Sequence, residues 1–438
     1  IEPRLRREIM PRAGSVQLAA YDEANSDART RSVSIANAVP PPIEFTIYEN
    51  LSNVEGDWRA FEQQADCTVF QTFDWLSTWQ RHIGARGGVR PAIIVGRAGG
   101  EVLLILPLAT QKIAFARELV WLGSDLCDYN APLLAPRFSS SLGTRQFHEV
   151  WQHIVATLRS RPRLSYDLVR LEKMPGDVGS QPNPMLTLGV TANPSGAYRT
   201  PLTAPWEAFY TAKRSSATRR RDRTKRRRLA ELGALALVHP DDNSEMLAAL
   251  DTLMAQKSRA LLEMGAGNLF ARPGYADFYR ALATDPRTKP LVHVSELNCG
   301  PQVAAVNLGL TFRGTYYHLL ASHAAGELSR FGPGAAHLHD LLRHAIDRGC
   351  EIFDFTIGDE PYKRDWCDSP QKLYDHLSVA TWRGIFVFVP AFAKSWFKRQ
   401  IKQTPVLWKA FSRARKFYGS LMHRAPMSKS EASRGEKG

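Results

Sequence analysis

The chain has 438 residues, 44% of them hydrophobic and 10% aromatic, with a formal net charge of +14. That composition excludes a disordered or fibrous protein and suffices for two or three domains. Five cysteines, odd in number and without a C-x-x-C pair, exclude a disulfide framework and a zinc ribbon, so a reducing compartment is expected.

Residues 1–42 mix arginines with acidic residues and hold no apolar run of signal-peptide length, which predicts a disordered segment on a cytoplasmic protein. Residues 43–175 read as a first domain. It has an aromatic helical stretch, FQTFDWLSTW, then a hairpin in PAIIVGRAGGEVLLILPL, a third strand near 119–122, a helix, and a strand at 167–171. A Pro-, Gly- and Asn-rich segment, 176–205, predicts a linker. Residues 206–384 then repeat the pattern at an offset of about 200 positions. Phe70, Trp75 and Trp79 align with Phe270, Tyr275 and Tyr279, and the second hairpin lies in PLVHVSELNCGPQVAAVNL, followed by strands at 315–321 and 352–356. Each half reads β-β-β-α-β, preceded by helices.

The positive charge is local. Residues 213–228 carry +9 and residues 394–437 carry +10, leaving −5 on the rest of the chain. Two cationic elements on a mildly acidic body fit anionic ligands at defined places rather than general polyanion binding. The first reads as a helix that is either solvated or in contact with a phosphorylated substrate, an RNA or an acidic membrane. Residues 385–425 mix Trp, Phe and Tyr with lysines and arginines, as in an amphipathic helix on the body or at an anionic membrane surface. Residues 426–438 predict a disordered tail, and no apolar stretch is long enough to span a bilayer.

Two segments carry chemistry. Ser329 and Arg330 lead through Gly332 and Gly334 into a helix beginning near Ala335, an arrangement that lets backbone N–H groups and the helix dipole face an anion. The strand at 352–356 ends in a run of ionisable groups, Asp359, Glu360, Tyr362 and Lys363, which could supply a base, an acid and an electrostatic stabiliser, or a structural ion pair.

The run Asp354 to Trp366, with the spacing D-x-x-x-G-D-E-x-Y-K-x-x-W, resembles the closing motif of GNAT-type acetyltransferases of the cellulose-biosynthesis-associated (CelD-like) family. The basic helix with Arg219 and Arg220, the Gly332-Pro333-Gly334 turn, Trp121-Leu122-Gly123 and Asp128-Tyr129-Asn130-Ala131-Pro132 agree with it, and the resemblance spans roughly residues 44–385. It implies an α+β chain of tandem GNAT-like domains, similar to Fem-type peptidyltransferases, the first structural and acceptor-shaping. The second would hold acetyl-CoA or another acyl-CoA as co-substrate along Ser329, Arg330, Gly332, Gly334 and Ala335. Ser329 stands where the usual pattern has Arg or Gln. The resemblance further implies Asp359 or Glu360 as base, Tyr362 as acid, and Lys363 as oxyanion or phosphate contact. Arg219, Arg220, Trp366 and His323 would contact substrate. The acceptor would be an amine or hydroxyl on a small molecule or glycan precursor of cell-surface polysaccharide.

Other readings are a Fem-type transferase fed by aminoacyl-tRNA, a nucleic-acid-binding protein and a non-catalytic scaffold. A metal centre is not expected. No H-E-x-x-H occurs, and His337, His339 and His344 would face different sides of one helix, while His318 or His323 could move a proton. G-x-S-x-G and G-x-x-x-x-G-K-[ST] are both absent, which removes support from serine hydrolases and P-loop enzymes.

Overall fold

The computed structural model describes residues 43–389, apart from 137 and 204, together with residue 393. Alternating apolar strands build two mixed sheets, each flanked by helices, giving the α+β tandem architecture expected from the repeat. The first sheet runs Glu44–Tyr48, Arg90–Ala98, Glu101–Ile113, Ala116–Trp121, Leu168–Pro175, Leu373–Val379 and Thr191–Ala192 in spatial order, with Leu133–Leu134 beside Glu101–Ile113. The second runs Ala197–Pro201, Ile352–Ile357, Thr315–His323, Gln302–Phe312, Val292–Cys299 and Leu235–Val238. Glycines or neighbouring residues with positive φ close both hairpin sets: Ala114 (φ 50°) turns the first, and Arg313 (φ 46°) the second, 199 positions on.

Two strands depart from the boundaries read in the sequence. The segment 176–205 is not a bare linker, because Ala197–Pro201 pairs with the whole of Ile352–Ile357. Residues 206–384 do not stay in one lobe either: Leu373–Val379 crosses back and pairs with Leu168–Pro175. Each sheet thus takes a strand from outside its own predicted domain, which pairs backbone that would otherwise be left open. The predicted single helix over 213–228 is two, Trp206–Lys213 and Ser216–Ala230. The break is at Ser215, whose hydroxyl accepts the Thr218 N–H at 3.2 Å as an N-cap.

The lobes share an aromatic seam. Trp75, on the capped helix Phe73–Trp79, meets Phe278 of Tyr275–Thr284 edge to face at 5.1 Å, and Phe70 lies 5.8 Å from both Tyr129 and Tyr317. These rings are buried, and truncating one such residue costs about 3–5 kcal/mol. Polar bonds cross the seam as well, among them those of Arg313 to the Glu62 and Ala65 carbonyls. The Tyr129 hydroxyl of the first lobe donates to Asp354 Oδ1 of the second at 2.7 Å.

In each lobe two neighbouring parallel strands pair briefly and then part. In the first, pairing of Ala116–Trp121 with Leu168–Pro175 is confined to Glu118↔Leu168 and Leu119↔Val169. The chain itself fills the gap: Asn130 donates its backbone N–H to Lys173 O at 3.1 Å and its side-chain amide to Glu172 O at 2.9 Å. In the second, Thr315–His323 pairs with Ile352–Ile357 through Thr315↔Ile352, Tyr316↔Phe353 and Tyr317↔Asp354, and then diverges. No helix of the described residues is long and apolar enough to cross a membrane. Residues 1–42, 390–392 and 394–438, with the predicted disordered ends and most of the basic aromatic segment 385–425, lie outside the described residues.

Burial pushes the Asp354 carboxyl up to about 6, offset in part by the Tyr129 hydroxyl and the Thr356 N–H. A carboxyl raised in the folded state costs stability as pH climbs from its unfolded value near 4 through 6. We predict that Asp354→Asn, which keeps an acceptor for Tyr129, gains about 3 kcal/mol relative to the parent protein between pH 4 and pH 7. Urea unfolding at the two pH values measures this.

Candidate active site

A cavity of about 870 Å³ opens where Thr315–His323 and Ile352–Ile357 separate. Parted strands leave backbone carbonyls that need donors. Two lysines supply them. Lys363, 3% exposed, donates Nζ to Ile357 O at 2.9 Å and Thr356 O at 3.4 Å, and pairs with Glu360 at 3.0 Å. Lys257, from the helix Asn243–Glu263, donates to Ala321 O at 3.1 Å on the opposite strand. Both line the cavity. Burial lowers the Lys257 pKa, while Glu360 opposes that shift.

Thr356 sits at the fork with φ 59°, a left-handed conformation that a β-branched residue adopts only when its surroundings impose it. They do so from three sides: its N–H donates to Asp354 Oδ1 at 2.7 Å, its carbonyl takes Lys363, and Asp128 lies beside its side chain. Asp128 arrives from the first lobe, two residues before the Asn130 that plugs the first lobe's own gap, and it faces the cavity. Burial raises its carboxyl above the ordinary range, while Lys173, Thr356 and Lys363 oppose the shift. A carboxylate poised this way is a better base near neutral pH than an exposed one. His318 also lines the cavity; burial, then Lys363, His337 and Lys257, push it down to about 3, so its imidazole is neutral.

The second wall is the start of Pro333–Asp347. Gly332, the residue before it, is left-handed (φ 65°), and proline occupies the first helical position, where no N–H is needed. A Cβ built on Gly332 would lie 4.0 Å from Lys225 Nζ, so an ammonium stands over this helix start. Lys225, Arg223 and Arg226 reach the cavity from Ser216–Ala230, and Arg226 is held by Asp340 at 2.9 Å. Arg214 packs its guanidinium over Trp366 at 5.1 Å, and its buried Nε has no hydrogen-bond partner among the described residues. A helix N-terminus beside several cations suits the phosphates of an anionic donor.

The residues expected from the sequence divide accordingly. Glu360, Tyr362, Lys363, Trp366, His323, Gly332, Gly334 and Ala335 line the cavity. Asp359 does not: its Oδ1 accepts the Gly196 N–H at 3.1 Å, tying down the strand before Ala197. Ser329 and Arg330 also lie outside, Ser329 bonding back to Gly326 O at 2.7 Å within its own turn. Arg219 and Arg220 sit one turn short of the cavity-facing Arg223, with Arg219 donating to Thr211. Lys225, Lys257 and Arg214 carried no local signal that separates them from other surface cations. Asp128 was visible only as part of the Asp128 to Pro132 run.

Residues 216–364 match the acetyltransferase (GNAT) domain family. No curated protein matches the chain by sequence. Among solved structures the chain is similar to FemX, at 11% identity and a TM-score of 0.51, over 77% of this chain and 95% of that one. It is also similar to a conserved protein of unknown function from Bacteroides thetaiotaomicron VPI-5482 (9%, TM-score 0.48, covering 77% and 100%) and to L-PGS from Bacillus licheniformis (13%, TM-score 0.45, covering 76% and 95%). The likeness to FemX is one of fold. The second lobe is an acyltransferase domain of the GNAT type.

The two glycines of the helix start should respond oppositely to alanine. Gly332→Ala meets only ordinary contacts, at 3.9 and 4.0 Å, but an unfavourable left-handed φ, and should lose about 1 kcal/mol of stability. Gly334→Ala sits in helical backbone with its nearest neighbour, His323, at an ordinary 3.5 Å, and should gain about 0.5 kcal/mol. Thermal melts of both variants check the contrast.

Proposed function

We propose that the chain transfers an acyl group, most simply acetyl, from acyl-CoA to an amine or hydroxyl acceptor. The observation that carries this reading is the cavity at the strand fork, with a helix N-terminus and cations on one wall and a raised carboxyl, Asp128, on another. The donor's phosphates would lie against Gly332, Gly334, Ala335 and Lys225, and its thioester between the parted strands. The acceptor nitrogen or oxygen attacks the thioester carbon, forming a C–N or C–O bond as the C–S bond breaks. Asp128 takes the acceptor's proton and the departing thiolate takes one from Tyr362, which lines the cavity. Lys363 and Lys257 place positive charge where the carbonyl oxygen becomes negative.

This assignment moves the base from Asp359, turned toward Gly196, to Asp128, and leaves Glu360 as the partner of Lys363. The resemblance to CelD-like acetyltransferases supports an acceptor related to cell-surface polysaccharide. One observation favours a second reading, aminoacyl-tRNA as donor: Arg220, Arg221, Arg227 and Arg228 remain exposed on the basic helix beyond the cations that the cavity uses.

Calorimetry with acetyl-CoA at low and moderate salt separates the two readings. We expect saturable binding that Gly334→Trp abolishes. Absence of binding, with salt-sensitive binding of tRNA instead, would overturn the acyl-CoA donor. With a panel of amine and hydroxyl acceptors, Asp128→Asn should bind acetyl-CoA normally yet release free thiol about 10²- to 10⁴-fold more slowly. Asp359→Asn should leave that rate within about twofold, as expected of a substitution outside the reacting groups.

A further inference from the structure

A second cluster lies at the opposite end of the second sheet and owes nothing to the acyl-transfer reading. His239 follows the strand Leu235–Val238, His293 opens Val292–Cys299, and His344 sits in the last turn of Pro333–Asp347. Their imidazoles offer ligand nitrogens that all lie within 4.8 Å of one another. His293 and His344 stack at 4.4 Å, His239 and His344 at 4.6 Å, and His239 Nδ1 is 2.9 Å from His293 Nε2. Helical spacing within 333–347 could not reveal this group, because two of its members come from other segments.

A buried chain sets the tautomer of the central ring. Asn307 satisfies both ends of its amide when Oδ1 accepts the Gly309 N–H at 3.2 Å and the Tyr316 hydroxyl at 2.8 Å, with Nδ2 donating to Leu320 O at 3.3 Å. Having given its proton to Asn307, the Tyr316 oxygen accepts from His293 Nδ1 at 2.7 Å. The Nδ1 of His293 therefore carries the hydrogen, and the Nε2 lone pair faces His239 and the cluster. Metal-bound histidines are oriented in this way by a partner on the other ring nitrogen. Asn307 and Tyr316 are almost fully buried, so the orientation is firmly held. The neighbouring charges are Arg348 and Asp347, one of each sign, and burial lowers the pKa of all three imidazoles, His293 to about 3 and His344 to about 4. All three rings are neutral at pH 7, the form that ligates.

We propose that His239, His293 and His344 form a transition-metal site of three imidazole nitrogens, suited to a borderline ion such as Zn²⁺ with water as a further ligand. The ion would tie the chain entering Asn243–Glu263 to the end of the helix whose other end, about 16 Å away, forms the donor wall.

The test uses the full chain, stripped with a chelator and dialysed, titrated with ZnCl₂ by calorimetry and with Co²⁺ by visible absorption. We expect one Zn²⁺ per chain and an intense Co²⁺ band of tetrahedral type. His239→Ala and His344→Ala should each weaken Zn²⁺ binding at least about tenfold and remove the band. His239 is exposed, so its variant keeps the test valid even where His344→Ala unfolds. Less than one Zn²⁺ per chain at millimolar metal would overturn the proposal. So would binding unchanged in a folded His239→Ala variant, either result leaving the cluster a hydrogen-bonded histidine stack.

Discussion

Two parallel strands that pair for three residues and then separate set the terms for the rest of the second lobe. Beyond the fork the carbonyls that face the gap lose their sheet partner, and a buried carbonyl must find another donor. Lys363 answers from the closing segment, donating to Ile357 and Thr356, and Lys257 answers from a helix, donating to Ala321. Part of the positive character of the cavity is thus a by-product of backbone satisfaction. The same two ammonium groups that close the hydrogen-bond account of the fork also provide the field in which an oxyanion would form.

The first lobe solves the same problem with a loop rather than an open cavity. There Asn130 inserts its backbone and amide between the parted strands, so that lobe has a plug where the second has a cavity. Plug and cavity are not separate features. The loop that carries Asn130 also carries Tyr129, which crosses the seam to Asp354, and Asp128, which enters the cavity beside Thr356. Filling one gap positions a carboxylate in the other. The first lobe, expected to be structural and acceptor-shaping, is by this geometry also a contributor to the wall where chemistry would occur.

Local patterns in the sequence reveal what local physics determines. Alternating apolar runs around Gly turns mark both hairpins, and the aromatic match of Trp75 with Tyr275 exposes the repeat, because each depends on residues a few positions apart. The turn into Pro333–Asp347 is legible for the same reason. Side-chain direction at the end of Ile352–Ile357 is not. Asp359 and Glu360 are adjacent in sequence, yet the bend at Gly358 (φ 130°) sends one to the Gly196 N–H and the other to Lys363. Asp128 and Thr356 meet from 228 positions apart, and nothing periodic links them. Register between distant strands is decided by burial summed over whole faces, which no short window contains.

The two strands whose partners lie far away in the chain bear on how it is made. Leu373–Val379 completes the first sheet beside Leu168–Pro175, and Ala197–Pro201 waits for Ile352–Ile357 before it has a partner. During synthesis the first lobe therefore emerges with one flank of its sheet bare, and stays so until almost two hundred further residues have been added. Contacts of such sequence separation slow folding and leave strand edges open to wrong partners meanwhile. Neither lobe is a portable module. A chain stopped before Leu373 would strand the earlier sheet, and the late strand, the last of the described sheets, acts as the latch that ends the vulnerable interval.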